Sequence, residues 1–118
     1  MKRDDSVYLH HILDAIERIS NYVQGISRDE FMHTPLIQDG VVRQLEIVGE
    51  ASRNLSEDLR QGHSNVPWNQ IIGLRNRIIH AYFDINLRVV WEIVQNDLVR
   101  LHQQIQAILE EMGQSHAG

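Results

Sequence analysis

Four polar side chains, Arg75, Asn76, His80 and Tyr82, sit within "GLRNRIIHAY", residues 73–82, among isoleucines in a segment that otherwise reads as a buried helix. Their types suit the cleavage of a phosphodiester. A neutral imidazole can take the proton of a ribose 2′-hydroxyl, and histidine titrates close enough to neutrality for that work. The freed oxygen attacks the neighbouring phosphorus, while a guanidinium stabilises the charge spread over the phosphate oxygens. Asn76 can orient the imidazole or hold a phosphate oxygen. Tyr82 can hydrogen-bond the phosphate, stack on a base, act as a nucleophile or accept a modification. None of these steps needs a metal. A plain structural role is also open: Arg75 could pair with Glu46 or Glu50, His80 could be a hydrogen-bonded core residue, and Tyr82 a core aromatic with its hydroxyl at the surface.

Spacing poses a geometric problem. A helix advances about 100° per residue. Arg75 and Tyr82 would then share nearly one line of the helix, and Asn76 and His80 would stack on a neighbouring line. Arg75 and His80 would be separated by roughly 140° around the axis. One straight helix cannot easily turn both toward a single small ligand. Either the helix loosens near His80, or a second copy supplies the other half, which predicts a homodimer with two motifs facing one cleft.

The elements that must position these residues are helical. Two prolines, seven glycines and apolar residues at three- and four-residue spacing predict an all-α chain. The first helix is expected from about Asp4 to Gln24, with Leu9, Ile12, Leu13, Ile16, Ile19 and Val23 on one stripe. Ser27–Glu30 has the form of a capping box and predicts a short extra helical turn. Thr34 and Pro35 are expected to open a second long helix carrying Ile37, Val41, Leu45, Val48, Leu55 and Leu59, fraying in "RQGHSNV". Pro67 is expected in the first turn of a third helix, with Trp68, Ile71, Ile72, Ile78 and Ile79 inward. Asn86 is expected to cap a fourth, with Leu87, Val90, Val94, Leu101, Ile105, Ile108 and Met112 on its stripe and a frayed "GQSHAG" tail. Short connections between four amphipathic helices favour an antiparallel four-helix bundle.

The whole chain narrows the function classes. Its 118 residues suit one domain, residues 1–118, with an ordered core over about 4–112. With no cysteine, disulfides, thiolate metal sites and cysteine nucleophiles are excluded. The start meets acidic residues before any apolar run, so it reads as no signal peptide, and no window nears the ~18 apolar residues of a membrane span. A cytoplasmic protein is expected. A net charge of −5 argues against unspecific attraction to nucleic acid. The positive charge is nevertheless ten arginines and one lysine, and arginine is the better residue for planar recognition of phosphate. Adjacent His10 and His11 diverge on a helix, so no structural zinc is expected. Trp68 and Trp91 read as packing aromatics, and Gly49 inside the second helix as a point of close helix approach.

Arg75-Asn76-x-x-x-His80-x-Tyr82 resembles the R-x4-H-x-Y signature of the HepT family of helical HEPN-domain toxins. "IVGEASRNLSE" (Ile47 to Glu57) is similar to that family's second-helix segment, and Val66 to Trp91 to its third helix and turn. The resemblance covers about residues 6–110. It implies a four-helix HEPN bundle dimerising through the motif-bearing helix, and a metal-independent RNase toxin acting on tRNA or mRNA without a cofactor. Arg75 and His80 would be the catalytic pair, with Asn76 and Tyr82 supporting and Glu46 and Glu50 as possible outer neighbours. The implied partner is a minimal nucleotidyltransferase antitoxin that transfers AMP to Tyr82. The competing expectation is a helical dimer that binds such a nucleotidyltransferase and cleaves nothing; a purely structural adaptor is a third.

Overall fold

Most helices of the computed structural model, which describes residues 4–81 and 84–117, start where the sequence supplies a cap or a proline. Helix α1 (Asp5–Val23) opens at Asp4, whose carboxylate accepts from the Ser6 N–H at 3.1 Å. It closes into Gly25, which takes the left-handed φ of +75° that glycine adopts without steric cost. The expected extra turn is α2 (Arg28–Met32). Its capping box is complete: the Ser27 hydroxyl accepts from Glu30 N–H at 3.1 Å and the Glu30 carboxylate from Ser27 N–H at 3.3 Å.

Helix α3 (Pro35–Arg53) has proline in its first turn, as expected, but Thr34 does not cap it. The Thr34 hydroxyl donates instead to the Glu30 carbonyl at 2.6 Å, closing the end of α2. The second helix is also shorter than its stripe suggests. Leu55 and Leu59 do turn inward, but they lie beyond the end of α3. Ser56 opens a separate α4 (Glu57–Gly62), its hydroxyl accepting from Leu59 N–H at 3.2 Å. The same serine gives its N–H and hydroxyl to the Asp5 carboxylate at 2.8 and 2.7 Å. One residue thereby ends the α3 path and ties α4 to the start of α1.

The third helical run is divided. Residues Trp68–Ile72 form α5, Gly73 breaks the run, and Leu74–Ile78 form α6. Two short antiparallel strands follow, β1 (Ile79–Ala81) and β2 (Asp84–Ile85), with Ile79 opposite Ile85 and Ala81 opposite Asp84. Asn86 then caps α7 (Leu87–Glu92), accepting from Val89 N–H at 3.2 Å as expected. Helix α7 passes through a π-helical turn, Ile93–Asp97, into α8 (Leu98–Ala117). The tail expected to fray from Gly113 continues as helix, since its residues after that glycine include no proline to stop it. Apart from the small ribbon, the described chain is all-helical.

One connected core holds these elements. Leu9, Ile12, Leu13, Ile16 and Ile19 of α1 meet Val41, Leu45 and Val48 of α3, the most extensive helix pair, while α8 packs on α1 with Leu101, Ile105 and Ile108 buried. Phe31 is fully buried, its ring 5.2 Å from that of Trp91. Trp68 is buried with its indole N–H donating to the His63 carbonyl at 3.0 Å. Both tryptophans pack as expected. Among the described residues, no helix is long and apolar enough to cross a membrane.

Gly49 is a point of close approach between α3 and α5. A Cβ built there would lie 3.2 Å from the Ile71 carbonyl oxygen and 3.6 Å from that of Ile72. These are backbone atoms and cannot rotate away. Gly49→Ala should therefore fail to yield the ~1 kcal/mol that helix propensity alone would add. Gly49→Leu should cost about 1–3 kcal/mol in denaturant unfolding, by overpacking. A Leu variant as stable as the parent would show that α5 is free to shift.

Candidate functional site

The segment that carries the motif changes conformation within six residues. Gly73 ends α5 and starts α6, which runs a single turn and a half before Ile79 turns extended, with φ −102° and ψ 118°. Ile78 and Ile79 are β-branched and lose rotamer freedom in a helix, so a strand competes well at this point. The strand finds a partner in Asp84–Ile85, and the Asn86 N–H closes the ribbon on the Ile78 carbonyl at 2.6 Å. The end of α6 is thus held against the start of α7.

Leu74 and Ile78 are the buried residues of α6. At 100° per residue, Asn76 then points directly outward and Arg75 and Arg77 take its two flanks. All three are exposed. The Arg75 side chain makes no hydrogen bond or ion pair with a described residue, and its carbonyl accepts from the Ile79 N–H.

His80 is in the middle of β1, two residues past the end of α6. Tyr82 lies outside the described residues. The helical angles expected between them do not apply. Asn76 and His80 are not on successive turns of one helix, and the 140° offset between Arg75 and His80 lapses, because the helix ends at Ile78, while the line expected to join Arg75 and Tyr82 falls outside the described residues. Of the two ways out of that offset, the chain takes the loosened helix. The offset consequently gives no argument for a second copy.

Glu46 and Glu50 face elsewhere. Glu46 pairs with Arg43 at 3.7 Å, and both glutamates line a groove with Tyr8 and His11 of α1. No α6 residue lines that groove. Among the described residues, no group of three His, Asp or Glu side chains is placed to hold a metal ion.

The residue pair that sequence reading missed is Arg77 and Asp97. The Arg77 guanidinium donates to the Asp97 carboxylate at 3.3 Å across twenty residues of sequence. Asp97 closes the π-helical turn, a local irregularity that often marks functional positions. Both side chains are 40–51% exposed, so the pair contributes only about 0–1 kcal/mol. The available sequence signal was a second arginine two places after Arg75, in a chain that uses one lysine.

Residues 12–108 match the family model described as ribonuclease HepT-like. A protein of Caldanaerobacter subterraneus subsp. tengcongensis, named as a candidate RNase, is 41% identical over 104 residues, covering 88% of this chain and 93% of its own. One from Thermococcus cleftensis, named as a candidate ribonuclease HepT, is 39% identical over 101 residues, covering 86% and 92%. A Methanocaldococcus jannaschii protein, named as a gamma-glutamylcyclotransferase and candidate RNase, is 37% identical across 95% of this chain, which spans 50% of that longer protein. No solved structure matches the chain. With the matched span taking in the whole of α6, the ribbon and α7, the chain belongs to the HepT-like ribonuclease family.

Proposed function

We propose that this chain is an RNase that cleaves phosphodiesters without a metal, with His80 as general base and Arg75 stabilising the phosphate. The observation that carries the reading is an exposed Arg75 on a one-and-a-half-turn helix, with His80 on the strand that follows it, in a chain of the HepT-like family. The His80 imidazole takes the 2′-hydroxyl proton, and the 2′-oxygen bonds to phosphorus. The 5′-oxygen leaves and takes up a proton, producing a 2′,3′-cyclic phosphate and a 5′-hydroxyl. Asn76, outermost on α6, is a supporting donor to phosphate oxygen.

The reading extends to assembly and control. Arg75 and Asn76 stand on open surface, whereas phosphoryl chemistry gains from a water-poor cleft. A second copy facing this surface would supply the missing wall, so the active form is a homodimer of HEPN-like four-helix bundles. The setting is a cytoplasmic toxin–antitoxin pair, with a minimal nucleotidyltransferase as antitoxin. That enzyme would form a bond from the Tyr82 phenolic oxygen to the α-phosphorus of ATP, releasing pyrophosphate. The attached phosphate and nucleoside would add negative charge and bulk that compete with RNA phosphate for the Arg75 guanidinium.

Two experiments test this. His80→Ala should lower the cleavage rate about 10²–10⁴-fold with the helical spectrum unchanged, and Arg75→Lys should also impair it, since a point charge does not reproduce the planar fork. Chelator should leave the parent rate intact. Activity lost in EDTA and restored by magnesium would refute the mechanism, and a parent protein that binds its nucleotidyltransferase but cleaves no RNA would favour the inactive binding module. Co-expression with a neighbouring nucleotidyltransferase should add the mass of adenylyl groups to a peptide containing Tyr82, and none in Tyr82→Phe. A neutralised complex with unmodified Tyr82 would mean that the antitoxin acts by binding alone.

A further inference from the structure

Arg77 faces a cleft that the proposed chemistry leaves unused. The cleft, of about 110 Å³, lies between α5–α6 on one side and the π-helical turn and α8 on the other. Its floor is apolar, with Leu74 and Leu101 among its residues, and its rim carries Arg77, Arg100, Asp97 and Gln70. Two guanidinium groups against one carboxylate make this rim cationic on a chain whose net charge is −5. Arg100 and Gln70 are exposed, and neither side chain bonds a described residue.

The cleft adjoins Arg75 through a single turn of helix. Arg75 and Arg77 flank the outward Asn76 on opposite sides of α6. A strand that set one phosphate on Arg75 and continued over Asn76 would bring its next groups to Arg77. There a phosphate can be held by the planar forks of Arg77 and Arg100, and the attached base can cover the apolar floor beside the Gln70 amide. Asp97 occupies Arg77 in the empty cleft through a half-exposed pair that an incoming phosphate can replace.

We propose that this cleft is a subsite for the RNA nucleotide next to the scissile phosphate, with Arg77 and Arg100 binding its phosphate and Asp97 competing for Arg77. The proposal rests on the RNase reading and deepens it. Asp97 gives it a distinctive sign. A carboxylate that merely braces the fold would weaken ligand binding when neutralised, whereas a competitor for the arginine strengthens it.

The test is the fluorescence anisotropy of a short, labelled 2′-O-methylated single-stranded oligonucleotide, which the 2′-hydroxyl chemistry cannot cleave. Arg77→Ala and Arg100→Ala should each weaken binding about 3–10-fold, as for one exposed charge-assisted contact, with the melting profile unchanged. Each should also reduce the slope of log affinity against log salt by about 0.7. Asp97→Asn should bind more tightly than the parent, and Arg18→Ala, on the exposed face of α1, should match the parent. Arginine variants that keep the parent's affinity and salt slope, or an Asp97→Asn variant that binds more weakly, would overturn the subsite alone. A parent protein that binds no oligonucleotide would overturn the RNase reading and the subsite with it.

Discussion

The bond from the Asn86 N–H to the Ile78 carbonyl, 2.6 Å long, is the constraint on which the motif region depends. Ile78 is the last residue of α6 and Asn86 the cap of α7. Joining them fixes where the chain stops being helical and where it resumes, so strands β1 and β2 form a turned-back excursion between them. His80 lies in that excursion and Arg75 in the helix before it. Arg75 is itself exposed. Its position follows from Leu74 and Ile78, which anchor α6 in the core on either side of it.

Charge is distributed in keeping with this. The chain is acidic overall, and an acidic surface repels a polyanion at long range. Binding then has to be local and geometric, which suits arginines set on defined faces better than a diffuse field of lysines. Arg75 and Arg77 on α6 and Arg100 on α8 are such arginines, each exposed and each rooted beside buried leucines or isoleucines. The weakness of the Arg77–Asp97 pair belongs to the same arrangement, because a stronger pair would keep the arginine from any other anion.

Much of the helical skeleton was legible because its signals are local. The Ser27–Glu30 box, Pro35, Asn86 and the stripe of α1 each depend on residues within a turn or two, and each stands as the spacing predicts. The breaks were not legible. Ile78 and Ile79 fit a buried helix and a strand equally, since a short apolar run has no period of its own. What decides for the strand is a partner, Asp84–Ile85, and pairing is not visible in spacing. Ser56 ends the second helical path because Asp5, fifty-one residues earlier, is there to receive it. Thr34 had two possible acceptor or donor roles, and the carbonyl of Glu30 claimed its hydroxyl. For the site, residue types pointed to Arg75 and His80, but helical angles between them described a helix that ends too early. Arg77 and Asp97 were hidden by their separation in sequence.

The account's central claim is that the 2′-oxygen of RNA, activated by His80, is the nucleophile. The ends of the cleaved RNA report this directly. Digestion of a labelled RNA followed by mass spectrometry of the fragments should give a 2′,3′-cyclic phosphate on the upstream product and a 5′-hydroxyl on the downstream one. A single 2′-deoxy substitution at the cleaved position should abolish cutting there. Fragments ending in a 3′-hydroxyl and a 5′-phosphate, produced from the deoxy-substituted position as readily as from the ribose one, would contradict the mechanism, because water would then be the attacking group.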